Sequence, residues 1–183
     1  STSHGLAQHR VTACEFDIGV VTNITHEHLD YHGSYAAYRA AKASLFTSLA
    51  ETPLKPGGNP RLAVFNRDDS SYDYLRSVTA VPEASYSLQP WADVWASDLH
   101  YQRDGLHFSA HGPGFTVPLM IRLPGKYNVS NALAALTTAV MGLGLDPAAA
   151  AAGIQTLEGV PGRMERIELG QPFPAIVDFA HTP

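Results

Sequence analysis

The sequence predicts an α/β fold, a mostly parallel sheet flanked by helices with a small antiparallel sheet appended. Three observations carry this. Ile18-Gly-Val-Val-Thr22 and Leu62-Ala-Val-Phe65 are short apolar runs of the kind that parallel sheets bury on both faces. Each leads through a polar turn into a helical segment. From Val94 the pattern changes: the alternating runs Val94 to Tyr101 and Leu106 to Ala110 flank Asp104-Gly105, a pair that favours a hairpin, and Phe115 to Ile121 adds another strand.

The first strand opens the most informative stretch, Asn23 to Phe46. A polar loop carries His26, Glu27, His28, Asp30 and His32, and Gly33-Ser34 then supplies a break and an N-cap for a helix from Tyr35. At about 100° per residue, Tyr35, Tyr38, Leu45, Phe46 and Leu49 share one face, and Lys42 lies within that apolar stripe. Two readings are open. The lysine lays its stem on the core and extends its ammonium to solvent, or burial favours a neutral amine that adds carbon dioxide, giving a carbamate with oxygen ligands for a metal.

Composition limits the function classes. The chain has 183 residues, 45% of them hydrophobic, enough for one domain with a sizeable core. A net charge of −5 argues against a nucleic-acid footprint. The single cysteine, Cys14, permits no internal disulfide and suits a reducing, cytoplasmic setting. No run of eighteen apolar residues or signal peptide occurs, so membrane insertion is not expected, and the start at Ser1 without a methionine suggests a fragment.

The remaining segments follow in order. Ser1 to Arg10 reads as a loop and helix start suited to an anion, or as an ordinary capped helix. Asn66-Arg-Asp-Asp69 sits at the carboxyl end of the second strand, where ligands of open α/β sheets collect; an Asx-turn leading to a short helix capped by Ser70 or Ser71 fits equally well. His100, His107 and His111 fall on the antiparallel strands without metal-ligand spacing. Leu123 to Asn131 leads into a long apolar helix, Ala132 to Leu143, and Asp146-Pro147 starts another. Asparagines at 128 and 131 can cap a helix and also bond a purine base or its neighbours. The pattern G-x-x-x-x-G-K-[ST] of a phosphate loop is absent. Near the end, Pro161-Gly162-Arg163 offers a guanidinium fork to a phosphate or ribose, or simply a surface arginine. Asp178 closes a last apolar run, where a carboxylate can take a ribose hydroxyl.

These residues resemble the central domain of the Mur ligases, and of the MurE type in particular, in five motifs and in the family's order. The run N-x-T-x-x-H-L-D-Y-H-G followed by A-A-K, the opening T-S-H-G-L-A-Q-H-R, N-x-D-D at Asn66, G-x-x-N-x-x-N at Gly125, and G-x-x-G-R-M-E with D-F-A-H-T-P together span nearly the whole chain. The resemblance implies a P-loop-NTPase-like central domain occupying residues 1–183 and truncated at both ends, with the phosphate loop and its metal-binding glutamate upstream and an amino-acid-binding domain downstream. It implies ATP and Mg2+, with Mn2+ as an alternative, and a ligase reaction in peptidoglycan synthesis. In that reaction ATP phosphorylates the D-glutamyl carboxylate of a UDP-N-acetylmuramoyl dipeptide, and the amine of diaminopimelate or lysine displaces phosphate.

By position, the resemblance makes His28 and a carbamate on Lys42 the metal ligands and catalytic pair. Thr2, Gln8 and Arg10 would contact the muramoyl dipeptide, with threonine standing where the family has serine. Asn66, Asn128, Asn131, Arg163, Asp178 and His181 would hold the nucleotide. This fragment alone is expected to be inactive. Two other functions fit less well: a relative on the same scaffold, such as a folylpolyglutamate synthase or cyanophycin synthetase, and a non-catalytic ligand-binding module. H-L-D-Y-H-G together with G-R-M-E and A-H-T-P favours the MurE type.

Overall fold

The computed structural model describes residues 1–24 and 29–179, with the side chain of Leu29 excepted. In chain order the elements are α1 (Ser3–Ala7), β1 (Ile18–Val20), α2 (Leu29–His32), α3 (Tyr35–Leu49), β2 (Leu62–Asn66), α4 (Tyr72–Val78) and β3 (Glu83–Ser87). There follow β4 (Val94–Tyr101), β5 (Leu106–Gly112), β6 (Phe115–Ile121), α5 (Lys126–Thr137) with a π-helical turn at Thr138–Gly142, α6 (Pro147–Gln155), β7 (Glu165–Ile167) and β8 (Ala175–Val177).

Six strands form one sheet in the order β1-β2-β3-β4-β5-β6. The pairings from β1 to β4 are parallel, and those from β4 to β6 are antiparallel, so the meander is appended to the parallel half as its alternation predicts. β2 explains its own sequence. Leu62 and Val64 enter a core cluster beneath α5 and α6, while Ala63 and Phe65 enter a second cluster beneath α3 and α4. Both faces are therefore dry, and an uninterrupted apolar run is what such a strand requires. β7 and β8 pair antiparallel as a separate two-stranded sheet.

Several expectations change. β1 was expected as an interior strand, but among the described residues it lies at the edge of the sheet, with Val20 38% exposed. β3 carries no sequence signature of a strand, since apart from Tyr86 the run Glu83-Ala-Ser-Tyr-Ser87 is small or polar. Its serines are hydrogen-bonded: the Ser85 hydroxyl donates to Asp93 Oδ2 at 2.7 Å, and that of Ser87 to Asp68 Oδ1 at 2.6 Å. Paired in this way, both can be buried at little cost.

The long helix expected from Ala132 to Leu143 begins six residues earlier, at Lys126, and ends its α-helical part at Thr137. Gly125, at φ 95°, turns the chain into the helix, and Val129, Ala132, Leu133 and Leu136 already give the buried stripe. Ser34 caps α3 as expected, accepting from Ala37 N at 3.2 Å, and Asp146 caps α6, accepting from Ala149 N at 2.9 Å. Ser71 precedes α4 but makes no side-chain cap; its hydroxyl and backbone N–H both go to Asp69 Oδ1. Among the described residues no helix is long and apolar enough to cross a membrane.

Candidate active site

At the carboxyl end of β1 the chain runs into residues 25–28, and three anchors hold the segment that leads there. Asn66 Nδ2 donates to the Thr22 carbonyl at 2.7 Å, Asp69 Oδ2 accepts from Ile24 N at 3.2 Å, and the Tyr86 hydroxyl donates to the Val21 carbonyl at 2.8 Å. Tyr35 adds a fourth bond, its hydroxyl donating to the Ile24 carbonyl at 3.2 Å. The N-x-D-D turn thus fixes the approach to residues 25–28. Asn66 itself is engaged at both ends of its amide, Oδ1 accepting from Asp68 N at 3.0 Å. His28 lies outside the described residues.

Lys42 sits on α3 where its stripe predicts. Tyr38, Phe46 and Leu49 are buried, Tyr35 and Leu45 are partly so, and Lys42 is half-buried with Nζ 5.2 Å from the centroid of the Tyr38 ring. Among the described residues no carboxylate pairs with it, and no group of three or more His, Cys, Asp or Glu side chains forms a metal cluster. A half-buried amine not committed to an ion pair fits the carbamate role; a salt-bridged one would not.

The opening residues pack beside this helix, since α1 contacts α3. Thr2 is the N-cap of α1, its Oγ1 accepting from Gly5 N at 3.0 Å. Gln8, just past the helix, donates through Nε2 to the Tyr31 hydroxyl at 3.2 Å. Arg10 is exposed, and no carboxylate among the described residues pairs with it.

Four of the remaining predicted residues line one cavity. A cavity of about 390 Å³ is lined by Asn128, Asn131, Arg163 and Asp178, together with Leu123, Tyr127 and Val160. Helix α5 supplies the asparagines one turn apart: Asn131 Nδ2 donates to Asn128 Oδ1 at 3.1 Å, and Asn128 Nδ2 donates back to the Pro124 carbonyl at 2.7 Å. The residues just before β7 and just after β8 supply the other two. Met164 N donates to Asp178 Oδ2 at 2.7 Å, Phe179 N donates to the Gly162 carbonyl at 2.7 Å, and Arg163 lies 5.9 Å from the Phe179 ring centroid. Amides, a carboxylate, a guanidinium and apolar walls are what a nucleoside with attached phosphates needs. His181 lies outside the described residues, and Asn66 does not line this cavity.

Sequence reasoning missed Leu123, Tyr127 and Val160 here, and Tyr31 beside Gln8. Tyr127, adjacent to a predicted ligand, was the one with a signal. A larger cavity, about 660 Å³, lies between residues 6–16 and α3 and holds none of the predicted residues. In its α3 wall the hydroxyls of Ser44, Thr47 and Ser48 bond carbonyls of their own helix. The histidines of the meander are likewise occupied locally. His111 contacts Ser97 and Thr116, and His107 pairs with Asp104, whose carboxyl it holds below the usual aspartate range.

Known proteins resemble the chain in sequence and in fold. The Mur ligase middle domain family matches residues 1–139. A UDP-N-acetylmuramyl-tripeptide synthetase of Roseiflexus sp. (strain RS-1) is 43% identical over the whole chain. A UDP-N-acetylmuramoyl-L-alanyl-D-glutamate–2,6-diaminopimelate ligase of Geobacillus thermodenitrificans (strain NG80-2) is 39% identical, and the chain spans 37% of the length of either relative. A solved structure of a ligase of the latter name superposes on 92% of the chain, with a TM-score of 0.78 and 34% identity, and the match covers 34% of that structure's chain. A folylpolyglutamate synthase of Mycobacterium tuberculosis, at 23% identity and a TM-score of 0.72, covers 91% of this chain and 36% of its own, and shares the fold. With its motifs, its sheet and the family match pointing one way, the chain belongs to the Mur ligase family, within which it corresponds to the middle domain.

Proposed function

We propose that this chain is the central, ATP-binding part of a MurE-type ligase, which adds diaminopimelate or lysine to UDP-N-acetylmuramoyl-L-alanyl-D-glutamate in the cytoplasm. The observation that carries the reading is the cavity in which α5 and the β7–β8 pair bring Asn128, Asn131, Arg163 and Asp178 together. Their chemistry suits ATP, with the asparagines toward the base, Asp178 toward the ribose and Arg163 toward ribose and phosphates; His181 would stand beside the phosphates, and Asn66 would serve the nucleotide side by bracing the strand end.

Thr2, Gln8 and Arg10, beside α3, receive the muramoyl dipeptide. Its D-glutamyl carboxylate attacks the γ-phosphorus of ATP and ADP leaves; the incoming amine then attacks the acyl phosphate, and an amide and phosphate result. The chain's residues act by holding both reactants in line and by neutralising charge. Lys42, as a carbamate, and His28 would hold a magnesium or manganese ion, which would supply neutralisation of the negative charge of the reactants. The phosphate-loop pattern is absent from these residues, so we assign it, with the amino-acid site, to other parts of the ligase.

The test is phosphate release by the full-length ligase given ATP, magnesium and the muramoyl dipeptide, with diaminopimelate or lysine added in turn. Release that depends on one amino acid supports the reading and names that substrate. No release with either sinks it in favour of another acid substrate or a binding module.

A further inference from the structure

The hydrogen bond between Gln8 and Tyr31 joins residues far apart in sequence, and the tyrosine that receives it is clamped. Its ring lies 4.3 Å from that of His4 on α1 and 4.9 Å from that of His32, edge-on, while His4 and His32 are themselves 5.4 Å apart. Three rings from α1 and α2 thus hold one another, although Tyr31 remains 47% exposed. Aromatic contacts at these separations fix ring orientation as well as covering area. The hydroxyl at the end of the clamped ring therefore has a defined place, and Gln8 Nε2 meets it at 3.2 Å.

A carboxamide has a donor end and an acceptor end. In Gln8 the donor end is on Tyr31, and among the described residues nothing donates to Oε1. The terminal torsion of a glutamine is broad and roughly two-fold, so an unheld amide presents its oxygen and its nitrogen about equally. Fixing the nitrogen removes that ambiguity.

We propose that Tyr31 is a positioning residue: its hydroxyl holds the Gln8 amide so that Oε1 faces outward as an acceptor for an amide N–H of an acylated amino acid. The inference rests on the ligase reading, in which Gln8 meets the muramoyl dipeptide, a ligand that carries such N–H groups. A stray surface hydrogen bond would need no ring clamp, and its loss would not change substrate affinity.

The experiment is steady-state kinetics of the full-length ligase and its variants Y31F, Q8A and Y31F/Q8A. Y31F keeps the ring contacts and removes only the hydroxyl. Loss of one hydrogen bond's worth of orientation should raise KM for the muramoyl dipeptide about three- to tenfold. Both kcat and KM for ATP should stay within about twofold of wild type, and so should the midpoint of thermal unfolding in urea-free buffer be unchanged. On the Q8A background Y31F should add nothing, because the group it positions is gone. Unchanged KM in Y31F, or effects of Y31F and Q8A that multiply, would overturn the positioning role while wild-type turnover still upheld the ligase reading. A wild-type enzyme that does not use the dipeptide overturns both.

Discussion

Asp178 accepts a hydrogen bond from the backbone N–H of Met164 through Oδ2 at 2.7 Å, and this bond ties the end of β8 to the turn that presents Arg163. Met164 stands at φ 48°, a left-handed conformation that a non-glycine residue adopts at a cost. The carboxylate thus has two tasks, bracing that turn and facing the cavity. In the isolated 183-residue chain, D178A should weaken ADP binding at least tenfold by calorimetry. D178N keeps an acceptor for Met164 but loses the charge, and charge-assisted bonds are roughly twice as strong as neutral ones. It should weaken binding less, about threefold. Equal binding by D178A and wild type would remove Asp178 from the nucleotide set.

Lys42 gives a sharper separation of function from stability. Its side chain is half-buried and makes no ion pair among the described residues, so K42A should cost no more than about 1 kcal/mol of stability. Phosphate release by the full-length K42A ligase should nonetheless fall below detection. Small carboxylic acids, added to mimic the carbamate, should restore part of it. Turnover that survives the substitution would show that the lysine serves only the core.

The isolated chain should bind nucleotide and not ligate. On the proposed reading the cavity beside α5 and the β7–β8 pair would supply base and ribose contacts, but no G-x-x-x-x-G-K-[ST] pattern is present to cradle phosphates. Incubation of the purified 183 residues with ATP, magnesium, dipeptide and either amino acid should leave all of them unchanged by chromatography. Amide formation would mean that phosphate transfer is organised by residues of this chain alone.

What the sequence made legible is the part governed by short-range pattern. The double-faced apolar run of β2, the Asp104-Gly105 turn and the caps Ser34 and Asp146 each state their structure locally. β3 was hidden because its burial depends on carboxylates from other segments, Asp93 and Asp68, that neutralise the polarity of its serines. The early start of α5 was hidden because polar residues on the outer face of its first turn look like a loop. The site divides in the same way. Asn128 and Asn131 are one helical turn apart and can be paired from sequence, whereas their meeting with Arg163 and Asp178 is a product of topology. Asn66 looked like a ligand at a strand end, and its amide braces the segment before residues 25–28.

That segment is also braced by Tyr86, and here the consequence is a pH dependence of folding. Tyr86 is fully buried in β3 and donates to the Val21 carbonyl at 2.8 Å. Burial pushes its phenol well above the usual tyrosine range, the carboxylates of Asp69 and Asp68 push the same way, and a hydrogen bond with Ser130 pulls partly back. The unfolded chain begins to lose this proton near pH ~10, where an ordinary tyrosine titrates, while the folded protein retains it. Above that point the unfolded state binds fewer protons, so stability is complete below pH ~10 and declines as pH rises toward the folded value. Y86F should be less stable at neutral pH by about 1 kcal/mol, since it strips the Val21 carbonyl of this donor. It should also lose part of the alkaline decline. Urea midpoints of wild type and Y86F, taken from pH 8 to 11, report this as a difference that shrinks with pH, free of the contributions of the other tyrosines and the lysines. A difference that stays constant would mean that the buried hydroxyl stays near its ordinary acidity.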